Sequence, residues 1–535
     1  MTGERPETLP NLLTKLTGEH GDETALTCDD ETLTFAGLEE RSHFLAGGLA
    51  RLGIGAGDKV AVWLPNLFAA VELEFALARL GVVAVALNTR FRAHEVEDIL
   101  SRSDARALVY APHFKGIDFS SILKEVDPTS TPELGTEILV GGGKPPASGR
   151  DAVLYEDLLD AEPLEEDLSF PEASCNVFTS SGTTSAPKLV LHSQRGIASH
   201  ARAIAGAFRY GEDDCVTLGV LPFCGVFGFN SIMGTLAAGR PCVLMPVFDA
   251  EAAVRLIEAH RITHLNGSDE MLLRILEAAS PHPKRISSLK EAGFASFNRG
   301  GEETVAMGDS WGKRFYQCYG STEVQALMAH QPAEAEAERR ALAGGVPSSE
   351  DIEVRVRDRE TDELLPPEES GELEVRGLNI MIGYMGDPEA EKENFTDDGY
   401  VRTGDLGYLT EYGFVYLSRI GDALRLGGFL VSPREIEGYL ESLSSIAEAQ
   451  VVGVTAERGT VAIGFVVAEE GQGFDEDEIL ELCRKHLAKF KVPQRVIALP
   501  DFPKTESANG VKVKREELKE MATEALETEG VRSSG

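Results

Sequence analysis

The sequence predicts an α/β fold: a large N-terminal domain of parallel-rich sheets, then a small region of antiparallel strands, and last a small α+β section. Three observations predict it. From about residue 24 to 280, apolar runs of strand length alternate with runs of helical period, the pattern of parallel sheets covered on both faces. From about 350 the period falls to two, as in antiparallel strands with one wet face. From about 423 a compact mixture of short helices and strands follows. A chain of 535 residues is also too long for one hydrophobic core.

The elements run in order. Val60 to Leu64 reads as a strand, Phe68 to Leu80 as an amphipathic helix and Val82 to Ala86 as the next strand. The stretch 130–150, rich in Gly, Pro and Ser, reads as a surface excursion. The rhythm resumes with a strand at Cys215 to Leu221, a helix at Phe229 to Ala237, a strand at Cys242 to Met245, a helix at Ala250 to His260 and a strand at Ile262 to Leu265. Ile352 to Val356 and Glu372 to Arg376 are the alternating strands, joined by the charged, proline-bearing turn Arg359 to Ser370. Near the end, Glu435 to Leu443 and Glu476 to Lys489 read as helices, Gln450 to Val454 and Val461 to Val467 as strands. Lys504 to Lys514 reads as a polar loop, and the tail from Ala522 to Gly535 as frayed.

Lys and Arg total 51 and Asp and Glu 88, giving a net charge of −37. That excludes a nucleic-acid partner, because a polyanion is repelled. The polar start Met1-Thr-Gly-Glu-Arg-Pro6 has no apolar segment behind it, and no apolar run reaches the length of a membrane span. Cys28, Cys175, Cys215, Cys224, Cys242, Cys318 and Cys483 contain no Cys-x-x-Cys pair. Buried free thiols in a reducing cytoplasm are expected, without cysteine-bound metal.

The segment Phe178-Thr-Ser-Ser-Gly-Thr-Thr-Ser-Ala-Pro-Lys188 sets Thr179, Ser180, Ser181, Thr183, Thr184 and Ser185 around Gly182. Hydroxyls and backbone N–H groups on a tight loop are donors for phosphate oxygens, and the lysine adds a point charge. No Gly-Lys-Ser/Thr follows, so it is not a Walker A loop. The segment resembles the phosphate-binding signature of the adenylate-forming family, which includes the acyl-CoA synthetases, luciferases and peptide-synthetase adenylation domains.

Further segments resemble that family in its order. Leu52 to Asn66 is similar to its opening βα unit, and Gly371-Glu-Leu-Glu-Val-Arg-Gly377 through Met381-Ile-Gly-Tyr384 is a structural match. Tyr319-Gly-Ser-Thr-Glu323 resembles Tyr-Gly-x-Thr-Glu. The resemblance implies Tyr319 at the adenine, Thr322 at the α-phosphate and Glu323 on Mg²⁺, a cation that prefers hard oxygen ligands. Thr403-Gly-Asp405 implies a ribose-binding carboxylate, backed by Arg419. Gly421 falls at the family's hinge position, where Asp or Lys is more usual, and glycine permits wide backbone excursions; Asp422 matches the family beside it. Gly427-Gly428 and Pro433-Arg-Glu-Ile-Glu437 follow. In Pro503-Lys-Thr505-Glu-Ser-Ala-Asn-Gly510-Val-Lys512-Val-Lys514, Lys512 is assigned as the catalytic lysine, with Lys514 as the alternative.

The departures cluster near the implied acid pocket. Leu221-Pro-Phe-Cys-Gly-Val-Phe-Gly228 has Gly225 where the family carries an aromatic residue or histidine, which points to a bulkier or stiffer acid or to a substitute gate, Phe227 or Phe229. Ser185 and Leu189 replace glycines. Phe294-Ala-Ser-Phe-Asn298 stands at the Gly-Gly-Ala-Pro position, and Gly267-Ser-Asp-Glu270 at Val-Pro-Pro. The implied pocket comprises Cys224, Gly225, Phe227, Gly228, Gly267, Phe297 and Asn298. His192 is assigned to helix packing.

The resemblance implies an AMP-forming acid–thiol ligase, with parallel-rich αβαβα sheets in its large N-terminal domain, a small β subdomain and a small mobile α+β C-terminal domain. ATP, Mg²⁺ and coenzyme A serve it; the substrate is an aromatic, alicyclic or medium- to long-chain fatty acid. Lys512, Thr184 and Glu323 take the catalytic roles. Ser180, Ser181, Gly182, Thr183, Thr184, Lys188, Tyr319, Gly320, Thr322, Asp405, Arg419, Gly427 and Gly428 hold nucleotide or coenzyme. The implied boundaries are an adenylation domain over 1–418, a hinge over 419–422 and a C-terminal domain over 423–535. Two alternatives stay open, loading of a carrier protein and a catalytically weak acyl- or nucleotide-binding homologue. A homodimer is left open too.

Overall fold

A computed structural model describes residues 8–142, 149–180, 187–296, 301–421, 424–426, 429–431, 433–456, 459–469, 471–487, 491–507 and 510–532. It is an α/β structure with two large sheets and a small C-terminal α+β domain.

The first sheet has eight strands. Six are parallel, among them Lys59–Trp63, Val83–Ala86, Ala107–Tyr110 and Ser174–Thr179. Leu189–Ser193 pairs antiparallel with Ser174–Thr179, and Gly383–Tyr384 closes that edge. Thr136–Leu139 is also a member, parallel to Ala107–Tyr110 and largely buried. The 130–150 stretch is therefore not only a surface excursion; its Glu-Ile-Leu core overrides the flanking turn residues.

The second sheet has thirteen strands. Its parallel block includes Thr217–Gly219, Cys242–Leu244, His264–Ser268, Glu291–Ala295 and Arg314–Tyr319. Through Ala329–His330 it continues into antiparallel strands that include Glu353–Arg357, Gly371–Arg376, Val401–Thr410 and Gly413–Arg419. The β subdomain is thus hydrogen-bonded to the parallel block, not a separate sheet.

Burial of apolar faces stacks these layers. Helices Phe35–Arg51, Phe68–Leu80 and Val226–Ala237 lie between the sheets, where Leu45, Leu73 and Phe229 join Leu26 and Leu244 of one sheet and Val60 and Ala84 of the other in one core. Helices Ala250–His260 and Asp269–Ala279 cover the far face of the second sheet, and Ala93–Ser103 that of the first. The C-terminal domain packs a three-stranded sheet, Ile446–Ala456, Gly459–Ala468 and Arg495–Ala498, against helices Pro433–Glu441, Glu476–His486 and Arg515–Arg532.

Two terminal expectations are corrected. Lys504–Ser507 and Gly510–Val513 form an antiparallel hairpin, not a polar loop. The tail is helical through Arg532, because Leu518 and Ala522 are buried against the C-terminal sheet. No helix among the described residues is long and apolar enough to cross a membrane. The cysteines are free; six are buried and Cys224 is half-buried.

Candidate functional site

The hydroxyl-rich segment spans the turn between antiparallel strands Ser174–Thr179 and Leu189–Ser193. The Ser180 N–H donates to the Lys188 carbonyl at 2.9 Å, and the Lys188 N–H to Ser180 Oγ at 3.1 Å. The two ends are therefore tied together at the stem. Ser181, Gly182, Thr183, Thr184 and Ser185 lie outside the described residues. Arg102 Nη2 donates to the Pro187 carbonyl at 2.7 Å while Asp98 grips the same guanidinium, so helix Ala93–Ser103 fixes where the turn re-enters the sheet.

The register Val190↔Tyr384 sets Tyr384 beside the stem. Lys188 Nζ lies 4.6 Å from the Tyr384 ring centroid, over its π face. The Tyr384 hydroxyl in turn donates to Glu323 Oε1 at 3.3 Å, so one ring joins the two candidate phosphate-side groups. Glu323 sits on a folded-back segment just beyond strand Arg314–Tyr319. A Cβ at Gly320 would lie 2.5 Å from the Gln325 carbonyl and 2.6 Å from Ala326 Cα. The glycine of Tyr-Gly-Ser-Thr-Glu is thus required by the return of its own segment.

Tyr319 ends its strand buried among Phe414 and Tyr416. Its hydroxyl donates to Asp405 Oδ2 at 2.5 Å. Asp405 faces Arg419 in register across the neighbouring strands. Arg419 Nε lies 3.1 Å from Asp405 Oδ1, and Nη1 donates to the Thr403 carbonyl at 2.8 Å. Gly404, at φ +70°, takes the left-handed conformation that turns Asp405 inward. Burial pushes the Asp405 carboxyl up to about 6, against the lowering effects of Arg419 and the Tyr319 hydrogen bond. Asp405 Oδ1 is buried and, despite the ion pair, accepts no hydrogen bond. A carboxylate with a spare acceptor fits a ribose diol. Among the described residues no group of three or more His, Cys, Asp or Glu could hold a metal. A lone Glu323 fits Mg²⁺, which is bound through one or two carboxylates with phosphates supplying other ligands.

On the acid side, helix Val226–Ala237 begins at Gly225. A Cβ at Gly228 would meet the Pro222 carbonyl at 2.2 Å, so that glycine is a packing requirement. At Gly225 a Cβ would meet only the Pro222 carbonyl at 3.5 Å, and its φ of −106° suits any residue. Neither packing nor backbone demands glycine there. Cys224 and Phe227 flank it, half-buried. Phe229 is not a gate: it is 1 % exposed and packs edge-on against Phe178 at 5.1 Å. Gly267 lies within strand His264–Ser268, next to Asn266, whose Nδ2 donates to Tyr210 Oη and Ser231 Oγ. Phe297 and Asn298 lie outside the described residues.

Gly421 is exposed, and a Cβ there would touch nothing within 4 Å. Asp422, Gly427 and Gly428 lie outside the described residues, as does the side chain of Lys512, whose backbone pairs with Thr505 in the terminal hairpin. Lys514 Nζ sits 3.4 Å from Glu517 Oε2.

His192 is on a strand rather than in helix packing, and its ring Nε2 reaches the Thr322 carbonyl at 2.9 Å. Sequence reasoning also passed over Tyr384 as a bridging group and Arg102 as an anchor. Period-two patterning marks the strands but not which distant strand becomes the neighbour. An open pocket of about 270 Å³ bordered by Asp58, Lys59, Asp104, Arg106 and Glu133 lies at the opposite ends of the first sheet's strands. The Asp58–Arg106 ion pair at 3.0 Å neutralises part of it, and it plays no part in this site.

The family model described as AMP-binding enzyme matches residues 14–385, and that described as AMP-binding enzyme C-terminal domain matches 435–509. The chain is 32% identical to the 3-[(3aS,4S,7aS)-7a-methyl-1,5-dioxo-octahydro-1H-inden-4-yl]propanoyl:CoA ligase of Rhodococcus jostii (strain RHA1), over 96% of this chain and 100% of that one. It is 30% identical to the 2-succinylbenzoate–CoA ligase of Bacillus cereus (strain Q1), over 97% of this chain and 100% of the relative. Among solved structures, the O-succinylbenzoate coenzyme A synthetase MenE of Bacillus subtilis, in complex with ATP and magnesium ion, superposes with a TM-score of 0.75 at 25% identity. That match covers 95% of this chain and 99% of that one. With more than half of its length matched by the first model and a full-length relative above 30% identity, this chain belongs to the AMP-binding enzyme family.

Proposed function

We propose that the protein is an ATP-dependent, AMP-forming acid–coenzyme A ligase acting on a ring-bearing carboxylic acid. The observation that carries this is the convergence of two linked groups, Lys188–Tyr384–Glu323 and Tyr319–Asp405–Arg419. Tyr319 ends one parallel strand and the hydroxyl-rich segment follows the carboxyl end of another, the edge where open α/β sheets take ligands. The acid class is supported by the bicyclic propanoate and succinylbenzoate named for the two relatives. Gly225, left open by packing, agrees with a bulky ring.

In the first step a substrate carboxylate oxygen bonds to the α-phosphorus of ATP, and the bond to the bridging α–β oxygen breaks. Pyrophosphate carries the electron pair away, leaving the acyl-adenylate. Tyr319 packs at the base and Asp405 Oδ1 accepts from the ribose, with Arg419 holding that carboxylate ionised. Lys188, the turn hydroxyls including Thr184, and Lys512 oppose charge on the phosphates. Mg²⁺, when bound, supplies further charge neutralisation there, with Glu323 as the residue to hold it. In the second step the C-terminal domain reorients about Gly421, presenting Gly427-Gly428. The coenzyme A thiol loses its proton, its sulfur bonds to the acyl carbonyl, and AMP leaves. The boundaries 1–418, 419–422 and 423–535 express this division, and the proposed setting is the cytoplasm.

The test is pyrophosphate release across a panel of aromatic, alicyclic and fatty acids, with and without coenzyme A. Ring-bearing acids should give release, and thioester only when coenzyme A is present. No release with any acid would refute the reading.

A further inference from the structure

The segment Thr322–Leu327 belongs to no helix or strand, so its backbone groups have no ladder to satisfy them. Five of its six consecutive carbonyls nevertheless accept hydrogen bonds from outside the segment. His192 Nε2 lies 2.9 Å from the Thr322 carbonyl and His200 Nε2 lies 2.8 Å from that of Ala326. The Met381 N–H donates to Glu323 O at 2.7 Å, Asn379 Nδ2 to Val324 O, and Ser348 Oγ to Leu327 O. Asn230 Nδ2 shares the Ala326 carbonyl at 3.3 Å. The side chain of Gln325 reaches out to the Gly196 and Asn379 carbonyls at 3.1 and 3.3 Å.

This segment is also strained. Gln325 at φ +59° and Leu327 at φ +62° are buried non-glycine residues in the left-handed region. Such conformations persist only where the surroundings over-determine them. A carbonyl only accepts, so both imidazoles carry their hydrogen on Nε2. The opposite atoms, His192 Nδ1, His200 Nδ1, Asn230 Oδ1, Gln325 Oε1 and Asn379 Oδ1, are buried without partners. Each side chain thus gives up one hydrogen-bonding atom so that its N–H can hold a carbonyl. An apolar core would not need that sacrifice.

We propose that His192 and His200 are positioning residues for adenylation: neutral Nε2–H donors that pin the strained Thr322–Leu327 segment and so aim Thr322 and Glu323 at the nucleotide phosphates. The inference rests on the proposed function for the role of Thr322 and Glu323, while the pinning itself rests on geometry alone. The two histidines stand on consecutive elements, strand Leu189–Ser193 and helix Gln194–Ala207, which follow Lys188 in the chain. They couple the turn carrying Lys188 to the segment carrying Glu323. Burial pushes both imidazoles down to about 4, which keeps them neutral donors at working pH.

The experiment uses the full chain with His192→Gln, His192→Asn and His192→Ala, and the same set at His200. The Gln amide nitrogen overlays Nε2, whereas that of Asn overlays Nδ1 and falls short of the carbonyl. Hydrogen exchange of amides 320–328, without substrate, reads the pinning; KM for ATP against kcat reads the positioning. The Asn and Ala variants should speed exchange in that segment at least tenfold and raise KM for ATP or lower kcat about tenfold. Gln should restore both to within about threefold. Unchanged exchange, unchanged kinetics, or equal behaviour of Gln and Asn overturns the proposal. Should Ala fail to fold, the Gln and Asn pair decides alone. If the parent protein releases no pyrophosphate with any acid, the functional reading has failed, and the exchange data still judge the pinning.

Discussion

The Tyr319 hydroxyl donates to Asp405 Oδ2 at 2.5 Å, joining residues 86 apart in sequence. That bond favours the ionised carboxylate, while burial has pushed its pKa up to about 6. A ribose diol needs the ionised acceptor, so affinity for ATP and AMP should fall as pH drops through about 6. Tyr319→Phe removes one of the influences that lower the pKa. Its affinity limb should therefore move to higher pH. Calorimetric titration of AMP between pH 5 and 8 measures this, and a shift to lower pH in the variant would contradict it.

Four histidines, the buried His192, His200 and His264 and the half-buried His330, are pushed down to about 4 by desolvation. An unfolded chain binds protons at such sites near pH 6.5. Between about 6.5 and 4 the unfolded state takes up protons that the native state refuses, and stability is lost on acidification. Glu74, raised to about 7, and Asp405, raised to about 6, act with the opposite sign, as do Glu291, Glu372 and Glu441, which burial also raises. With the histidines setting the direction, Tm should fall from pH 6.5 to 4.5. Glu74→Gln should stabilise most above pH 7, by about 3 kcal/mol, and least below pH 4.5. A gain that grows on acidification would reverse the assignment.

The strands and helices were legible because their periods are local. Phe68–Leu80 and Ala250–His260 match the expected bounds. The Cys215 to Leu221 run shortened to Thr217–Gly219, as the chain turns at Val220 toward Pro222. Motif order singled out Lys188, Tyr319, Glu323, Asp405 and Arg419, and the structure brings Lys188 and Glu323 to one ring and Tyr319 and Arg419 to one carboxylate. The links between them were not legible. Tyr384 meets Lys188 only through the pairing of strands nearly two hundred residues apart. His192, expected in helix packing, lies on a strand, and its partner is a backbone carbonyl, which no residue identity reveals.

Tyr384 sits between Lys188 and Glu323. Tyr384→Phe keeps the ring under the lysine and removes the hydroxyl from the carboxylate. KM for ATP should rise only a few-fold, since a 3.3 Å hydrogen bond contributes about 1 kcal/mol. Glu323→Ala should instead raise the Mg²⁺ concentration for half-maximal pyrophosphate release about tenfold or more. An unchanged Mg²⁺ response would remove Glu323 from its proposed role.

Gly225 tolerates a Cβ and has an ordinary φ, so Gly225→Phe should fold with a Tm near that of the parent. The added ring occupies space offered to the acid. kcat/KM for ring-bearing acids should fall about 10–100-fold, the cost of overpacking a fitted site, while a short acid is spared. Uniform loss across the panel would mean that the position does not read the acid.

Lys514 contacts its own domain, and Lys512 falls on the terminal hairpin. Lys514 Nζ lies 3.4 Å from Glu517 Oε2 on the following helix, whereas Lys512 is carried on the hairpin, paired with Thr505. A lysine that opposes charge at the α-phosphate must move with the hairpin and not be held by its own domain. Lys512→Ala should then slow acyl-adenylate formation about 10²–10³-fold, the usual loss for one transition-state electrostatic group. Thioester formation from preformed acyl-adenylate should change little if the proposed reorientation withdraws that lysine. Lys514→Ala should leave both half-reactions within a few-fold of the parent. Single-turnover assays of each half-reaction separate the cases: equal losses in both for Lys512→Ala would end the division of labour between the two domain orientations.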